Sequence, residues 1–220
     1  MAFIRMYQDS DKDAMIHIFR ETCAPDLITG GDTVLHYASF LWCRPYLMLR
    51  PESCFVVDDG TGRAVGYLLG VPDTVGFVQD YREKYIPYLK SEGFEKPEPD
   101  EPTGWNEHLP NALRQIMFNP EGMLQTGHPR MMDEWPAHLH IDLLDTHQRQ
   151  GWGRQLIDRF CALAKEHGAK GVHLGMAAAN ENAYKFYARV GFTRFPVCLD
   201  QGVSGELGQN GNTIWLVKSL

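Results

Sequence analysis

The run His138-Leu-His140-Ile-Asp142 puts two imidazoles and a carboxylate at every second position. Along a strand, side chains alternate, so these three share one face and Leu139, Ile141 and Leu143 share the other. A central strand of an α/β sheet normally buries apolar side chains on both faces, so three polar groups in a row predict a cleft. The chemistry they suit is proton transfer. Imidazole titrates nearest to neutral pH, and Asp142 could orient His140, act through water or attract a cationic substrate. For each of the three, a purely structural hydrogen bond is the competing reading.

The same strand, expected over residues 137–144, runs into a polar turn, Gln148-Arg149-Gln150-Gly151-Trp152-Gly153-Arg154, that opens an amphipathic helix. A helix start exposes backbone N–H groups backed by the positive end of the helix dipole, which is an anion site. Gly151 and Gly153 keep side chains from blocking a phosphate there. A glycine-rich turn can also serve only close packing. No Gly-Lys-Ser/Thr follows, so this is no nucleotide P-loop, and the third glycine of a dinucleotide fingerprint is missing.

A second pattern lies one helix and one strand farther on: Asn180-x-x-Ala183-x-x-x-Tyr187-x-x-x-Gly191-Phe192. Asn180, Ala183 and Tyr187 share one face of a short helix that Asn180 can cap. Phe186, Tyr187 and Phe192 could equally be core aromatics. Together, in this order and separation, the two patterns resemble the GNAT superfamily of acyl-coenzyme A N-acyltransferases. The resemblance implies acetyl-CoA as cosubstrate, with its pyrophosphate over residues 149–154 and Gln148 in the same signature. It places the pantetheine arm against Asn180 and Ala183, and the Tyr187 hydroxyl near the thioester sulfur as the acid. Backbone amides near Leu143 and Leu144 become the oxyanion donors. His138 falls close to where several relatives place a glutamate base, which makes His138 and Asp142 the candidate bases.

The expected reaction is therefore transfer of an acetyl group from acetyl-CoA to a primary amine by direct attack in a ternary complex. A small-molecule acceptor is favoured, with amino sugars, peptide N-termini and lysines of proteins such as histones left open. A non-catalytic acetyl-CoA-binding relative is the alternative. The segments Pro45-Tyr-Leu-Met-Leu-Arg-Pro-Glu-Ser-Cys-Phe-Val-Val57 and Val65-Gly-Tyr-Leu-Leu-Gly-Val-Pro-Asp73, with the tyrosine-rich stretch that follows, further resemble the acetyltransferase-like C-terminal domain of O-GlcNAcases and its free-standing microbial relatives. No sugar hydrolysis is carried over from that likeness. His-x-His-x-Asp is also similar to the ligand run of metal-dependent hydrolases, but Leu143 stands where a second histidine should follow, and alternating side chains do not readily converge on one ion. No metal is expected.

Composition sets outer limits. The chain has 220 residues, 44% of them hydrophobic and 22% charged, as in an ordinary globular protein. Its net charge of -7 argues against nucleic acid and favours a cationic substrate. No apolar run is long enough to span a membrane, and the N-terminus does not read as a signal peptide. Cys23, Cys43, Cys54, Cys161 and Cys198 are odd in number and unpaired in spacing, which suits reduced thiols in a cytoplasmic protein. A nuclear location and a homodimer stay open.

Those elements imply one GNAT domain over residues 1–220: a mixed sheet of about six or seven strands flanked by helices, with one parallel crossover at its centre. Residues 3–7 read as a strand. Asp9-Ser10-Asp11 can cap the helix after it, and a second helix over residues 35–49 is interrupted at Pro45. A hairpin turns at Asp58-Asp-Gly-Thr-Gly62. Residues 77–135 form a long insertion between the third and fourth strands, helical over 77–90 with a break at Pro87 and again over 109–117. The acidic, proline-rich run 95–102 between them is a solvated loop. Because the insertion leaves and rejoins the sheet beside the polar strand, residues 77–89 are expected to wall the acceptor site. Closing strands are expected over residues 192–199 and 213–218.

Overall fold

A computed structural model describes residues 1–126, 128–195 and 213–220. In chain order the elements are β1 (Phe3–Met6), α1 (Lys12–Thr22), α2 (Pro25–Thr29), α3 (Gly31–Trp42), α4 (Arg44–Leu49), β2 (Cys54–Asp58) and β3 (Ala64–Val71). The insertion holds α5 (Thr74–Asp80), a π turn (Tyr81–Tyr85), α6 (Ile86–Ser91), α7 (Leu109–Met117) and α8 (Arg130–Glu134). Then come β4 (Ala137–Leu143), α9 (Trp152–Glu166), β5 (Gly171–Ala177), α10 (Glu181–Arg189), β6 (Thr193–Arg194) and β7 (Thr213–Ser219). The strand expected over 192–199 is seen only as β6, with Phe192 and Phe195 outside the strand; residues 196–199, with Cys198, lie outside the described residues.

Among the described residues the strands form one seven-stranded mixed sheet, in the order β1-β2-β3-β4-β5-β7-β6. Every neighbouring pair is antiparallel except β4 and β5, the parallel crossover. That pair is short: its register holds at Ala137–Val172 and His138–His173 and goes no further. Beyond it β4 follows β3 while β5 follows β7, so the sheet opens into a gap at its centre.

Each face of the sheet carries its own core. On one side α1, α3, α4 and the insertion pack over Val56, Tyr67 and Leu69. On the other, α9 lays Leu156, Ile157, Phe160 and Ala164 against Phe55, Leu68, Leu139 and Leu174. The approach is close enough to require glycine: a Cβ on Gly70 would sit 2.2 Å from Phe160 and 2.8 Å from the Ser53 carbonyl oxygen. Gly70→Ala should therefore cost about 1–3 kcal/mol, as overpacked cores do, read as a fall in the denaturant midpoint. An unchanged midpoint would mean that α9 can shift away without loss.

Two expected details take a different form. The cap residue Asp11 is drawn into a buried ion cluster, accepting from Arg5 at 2.6 Å while Arg5 also donates to Asp58 at 2.9 Å. Pro87 does not break the helix there. The ring would collide with the carbonyl four residues back, and the chain widens into a π turn over Tyr81–Tyr85 that lets α5 and α6 run on.

Candidate active site

His138, His140 and Asp142 share one face of β4 and meet side chains from α4, β3 and α5. Thr74, at the start of α5, donates its hydroxyl hydrogen to the Pro136 carbonyl at 2.5 Å, so its oxygen accepts from His138 Nδ1–H at 2.7 Å. The tautomer follows: His138 Nε2 is an acceptor and takes the Tyr46 hydroxyl hydrogen at 3.2 Å. The Tyr46 oxygen then accepts from His140 Nε2–H at 2.9 Å, which leaves the lone pair of His140 on Nδ1. His138 is only 7% exposed and has both ring nitrogens engaged. Burial, then His173 and His140, holds its pKa well below the ordinary value. Burial holds His140 down at about 4, with His173 adding to the effect. Both imidazoles are neutral at physiological pH.

Asp142 behaves in the opposite sense. Tyr67 Oη donates to its Oδ2 at 2.6 Å. Burial pushes the carboxyl up to about 6, opposed by the hydroxyls of Tyr67 and Thr22. The group is therefore a carboxylate at neutral pH, yet close to taking up a proton.

The gap between β4 and β5 widens into a cleft of about 580 Å³. His140, Asp142, Asn180, Ala183 and Tyr187 all line it, with Phe19 to Leu27 of α1, α2 and their connection as the opposite wall. Trp105 of the insertion also lines it, held by a 2.8 Å bond from Nε1 to Asp26. Cys23 is there too, but burial pushes its thiol up to about 11, which makes it a poor nucleophile. Asn180 caps α10, its side-chain oxygen accepting from the Ala183 N–H at 3.0 Å. The rings of Phe186 and Phe192 pack beside Tyr187, at 5.3 and 5.6 Å between centroids.

At the outer end of the gap, α9 begins with Gly151 at φ +88°, and no side chain caps its first amides. The nearest atom to a Cβ at Gly151 would be 3.9 Å away, on Gln155, so the space before the helix is open. Arg149 also has a positive φ, +59°. Gln148 ties the turn to β4, donating to the Leu143 carbonyl and to Asp145, each at 2.9 Å. Gln150 donates to the Thr146 carbonyl, and Trp152 Nε1 to Gln150. Arg154 reaches the Arg189 carbonyl at the end of α10, at 2.9 Å. The two glycines are not equivalent: a Cβ on Gly153 would meet the Phe186 ring at 2.8 Å. Gly153 thus permits α9 to pack on α10, and Gly151 alone faces open space.

Leu143 and Leu144 also separate. The Leu144 N–H donates to the Val65 carbonyl at 3.0 Å. Backbone groups alternate along a strand, so the N–H groups of Leu143 and Ile141 point the other way, into the gap.

A smaller chamber of about 70 Å³ adjoins the cleft and shares Trp42, Leu139, His140 and Gly175 with it. His138 and His173 line this chamber rather than the cleft. From residues 77–89 only Tyr81 reaches it; Ile116, Asn119, Pro120 and Met123, later in the insertion, supply more of the wall. Phe77 lies behind it, fully buried against Tyr46 and His138. Among the described residues, no three or more His, Cys, Asp or Glu side chains are grouped to hold a metal ion. Nor is any described helix long and apolar enough to cross a membrane.

Sequence patterns gave no roles to Tyr46, Tyr67 and Thr74. Their only signal was indirect: polar groups inside otherwise apolar elements that a polar β4 face would need as partners.

A mixed sheet opened at its one parallel pair, with a bare helix start at the mouth of the opening, defines the acyl-coenzyme A N-acyltransferase fold. Comparison with known proteins agrees. The model of the acetyltransferase (GNAT) family matches residues 13–192. The crystal structure of SsHAT is 33% identical, with a TM-score of 0.78 over 99% of this chain and 98% of that one. At lower identity, where the likeness is one of fold, stand a mutant agmatine N-acetyltransferase in its apo form and a PaiA N-acetyltransferase from Thermoplasma acidophilum in complex with coenzyme A. The first is 12% identical, with a TM-score of 0.59 over 100% of this chain and 99% of that one. The second is 11% identical, with a TM-score of 0.56 over the same shares. The chain belongs to the GNAT acetyltransferase family.

Proposed function

We propose that the protein is an N-acetyltransferase that moves the acetyl group of acetyl-CoA to a small primary amine by direct attack in a ternary complex. The observation that carries this reading is a cleft lined by Asp142, Asn180, Ala183 and Tyr187, with an open, glycine-led helix start following the strand that carries Asp142. Acetyl-CoA supplies the reactive thioester. The amides of Gly151, Trp152 and their neighbours hold its phosphates, helped by Arg149 and Arg154, and Asn180 and Ala183 border its arm. The N–H of Leu143, with that of Ile141 deeper in the gap, offers a donor where negative charge builds on the acyl oxygen.

Proton transfer falls to the two ends of the cleft. Asp142, poised near neutrality, accepts the proton released by the amine, and the Tyr187 hydroxyl supplies one to the departing thiolate. His138, with both nitrogens engaged, acts as a positioning residue: it fixes Tyr46, and through it the tautomer of His140. Residues 1–220 are read as one domain whose insertion, 77–135, closes the acceptor side. The finer likeness to free-standing relatives of the O-GlcNAcase C-terminal domain fits the same reading.

The experiment is turnover of acetyl-CoA with a panel of small amines, with the products identified by mass spectrometry. Tyr187→Phe keeps the ring and removes the proton donor, so it should slow turnover by about 10²–10⁴-fold while acetyl-CoA still binds. An unchanged rate would reduce Tyr187 to a packing residue.

A further inference from the structure

Two buried polar atoms beside the inner chamber have no hydrogen-bond partner among the described residues: the Tyr81 hydroxyl and the Trp215 indole N–H. Both residues line the chamber, one from the insertion and one from β7. Such groups are seldom left unpaired in a folded protein, because each carries the full desolvation cost without a return. Two on one small cavity, with the Asn119 amide on the same wall, is the pattern of a site that awaits a polar ligand atom. Among the described residues the chamber is lined by no Asp, Glu, Lys or Arg. Its frame is otherwise apolar and aromatic, including Leu41, Trp42, Ile116 and Met123.

We propose that this chamber receives the far end of the acceptor, and that the acceptor is a small primary amine bearing an uncharged oxygen on an apolar or aromatic frame. The inference rests on the acetyltransferase reading above. The amine end lies in the cleft with Asp142, while the oxygen reaches Tyr81 and accepts from Trp215 Nε1–H. At about 70 Å³ the chamber has space for only a compact end group. A second charge is disfavoured, since no described residue lining the chamber is a counter-ion and a buried unpaired charge is far costlier than a buried hydroxyl. Diamines and amino acids are therefore poor acceptors.

Tyramine, phenethylamine and cadaverine separate the possibilities. They carry a neutral oxygen, no oxygen and a second cation, respectively. We expect tyramine to exceed phenethylamine by about tenfold or more in kcat/KM, the range of one or two net hydrogen bonds, and cadaverine to trail by at least about a hundredfold. Tyr81→Phe should raise KM for tyramine about three- to tenfold relative to KM for phenethylamine. Its Tm should stay level or rise, because an unpaired buried hydroxyl is removed. Equal kcat/KM for tyramine and phenethylamine, or a Tyr81→Phe variant with an unaltered tyramine KM, would overturn the assignment. If no amine is acetylated, the proposed function fails, and calorimetric binding of the same amines to wild type and Tyr81→Phe then decides the chamber separately. Tighter binding of tyramine that Tyr81→Phe weakens supports it; equal binding of tyramine and phenethylamine sinks it.

Discussion

Asp142→Asn is expected to lower kcat at neutral pH by about 10²–10⁴-fold, the usual contribution of a positioned base. It should also remove the acidic limb of the rate profile. In wild type the rate should fall as pH drops through about 6, because burial holds the carboxyl there and the protonated acid cannot accept the amine's proton. Stability should move the other way. The folded pKa lies above the unfolded one of 3.8, so this group favours folding fully at low pH and loses that contribution as pH rises through 6. Above pH 6 the buried carboxylate costs at most about 3 kcal/mol, which Asn removes while still accepting from Tyr67. A slower enzyme that melts no lower at pH 8 is the expected pair of results. A variant with full rate and an intact acidic limb would move the base elsewhere, and His140, whose lone pair lies on Nδ1, would be next to test.

Gly151→Glu should weaken acetyl-CoA binding at least about a hundredfold by calorimetry. Gly151 sits at φ +88°, a conformation other residues adopt only with strain, and the space before it is open. A glutamate there brings both a side chain and a negative charge to the helix start proposed to hold the phosphates. Gly153→Ala is the informative control. Its Cβ would meet Phe186, so it should lower stability through the α9–α10 contact. Wild-type affinity in Gly151→Glu would show that the phosphates lie elsewhere.

The sequence made β4, the glycine turn and the Asn180 cap legible because each is local: period-two alternation, a turn composition and a capping residue need only neighbours in the chain. The partners of β4 were hidden because they are remote. Tyr46, Thr74 and Tyr67 lie 92, 64 and 75 residues from the β4 groups they bond, and no periodicity encodes such pairings. That distance explains why His138 read as a base: nothing local shows that Thr74 and Tyr46 occupy its two nitrogens. Gly151 and Gly153 look alike in the chain, and only the position of Phe186 tells them apart. Leu144 seemed as suitable a donor as Leu143 until pairing with Val65 claimed its amide. Pro87 signalled a break, but the chain had the option of widening the preceding turn.

The most direct test is a two-substrate initial-rate experiment, following release of the coenzyme A thiol while acetyl-CoA and an accepted small amine are both varied. Asp142, Ile141 and Tyr187 line one cleft, and the only described thiol there, Cys23, is held protonated. Release should therefore require the amine, and the double-reciprocal lines should intersect, as they do when both substrates are bound before transfer. Thiol release that ignores the amine, or parallel lines with an acetylated enzyme detected by mass, would contradict direct transfer in a ternary complex.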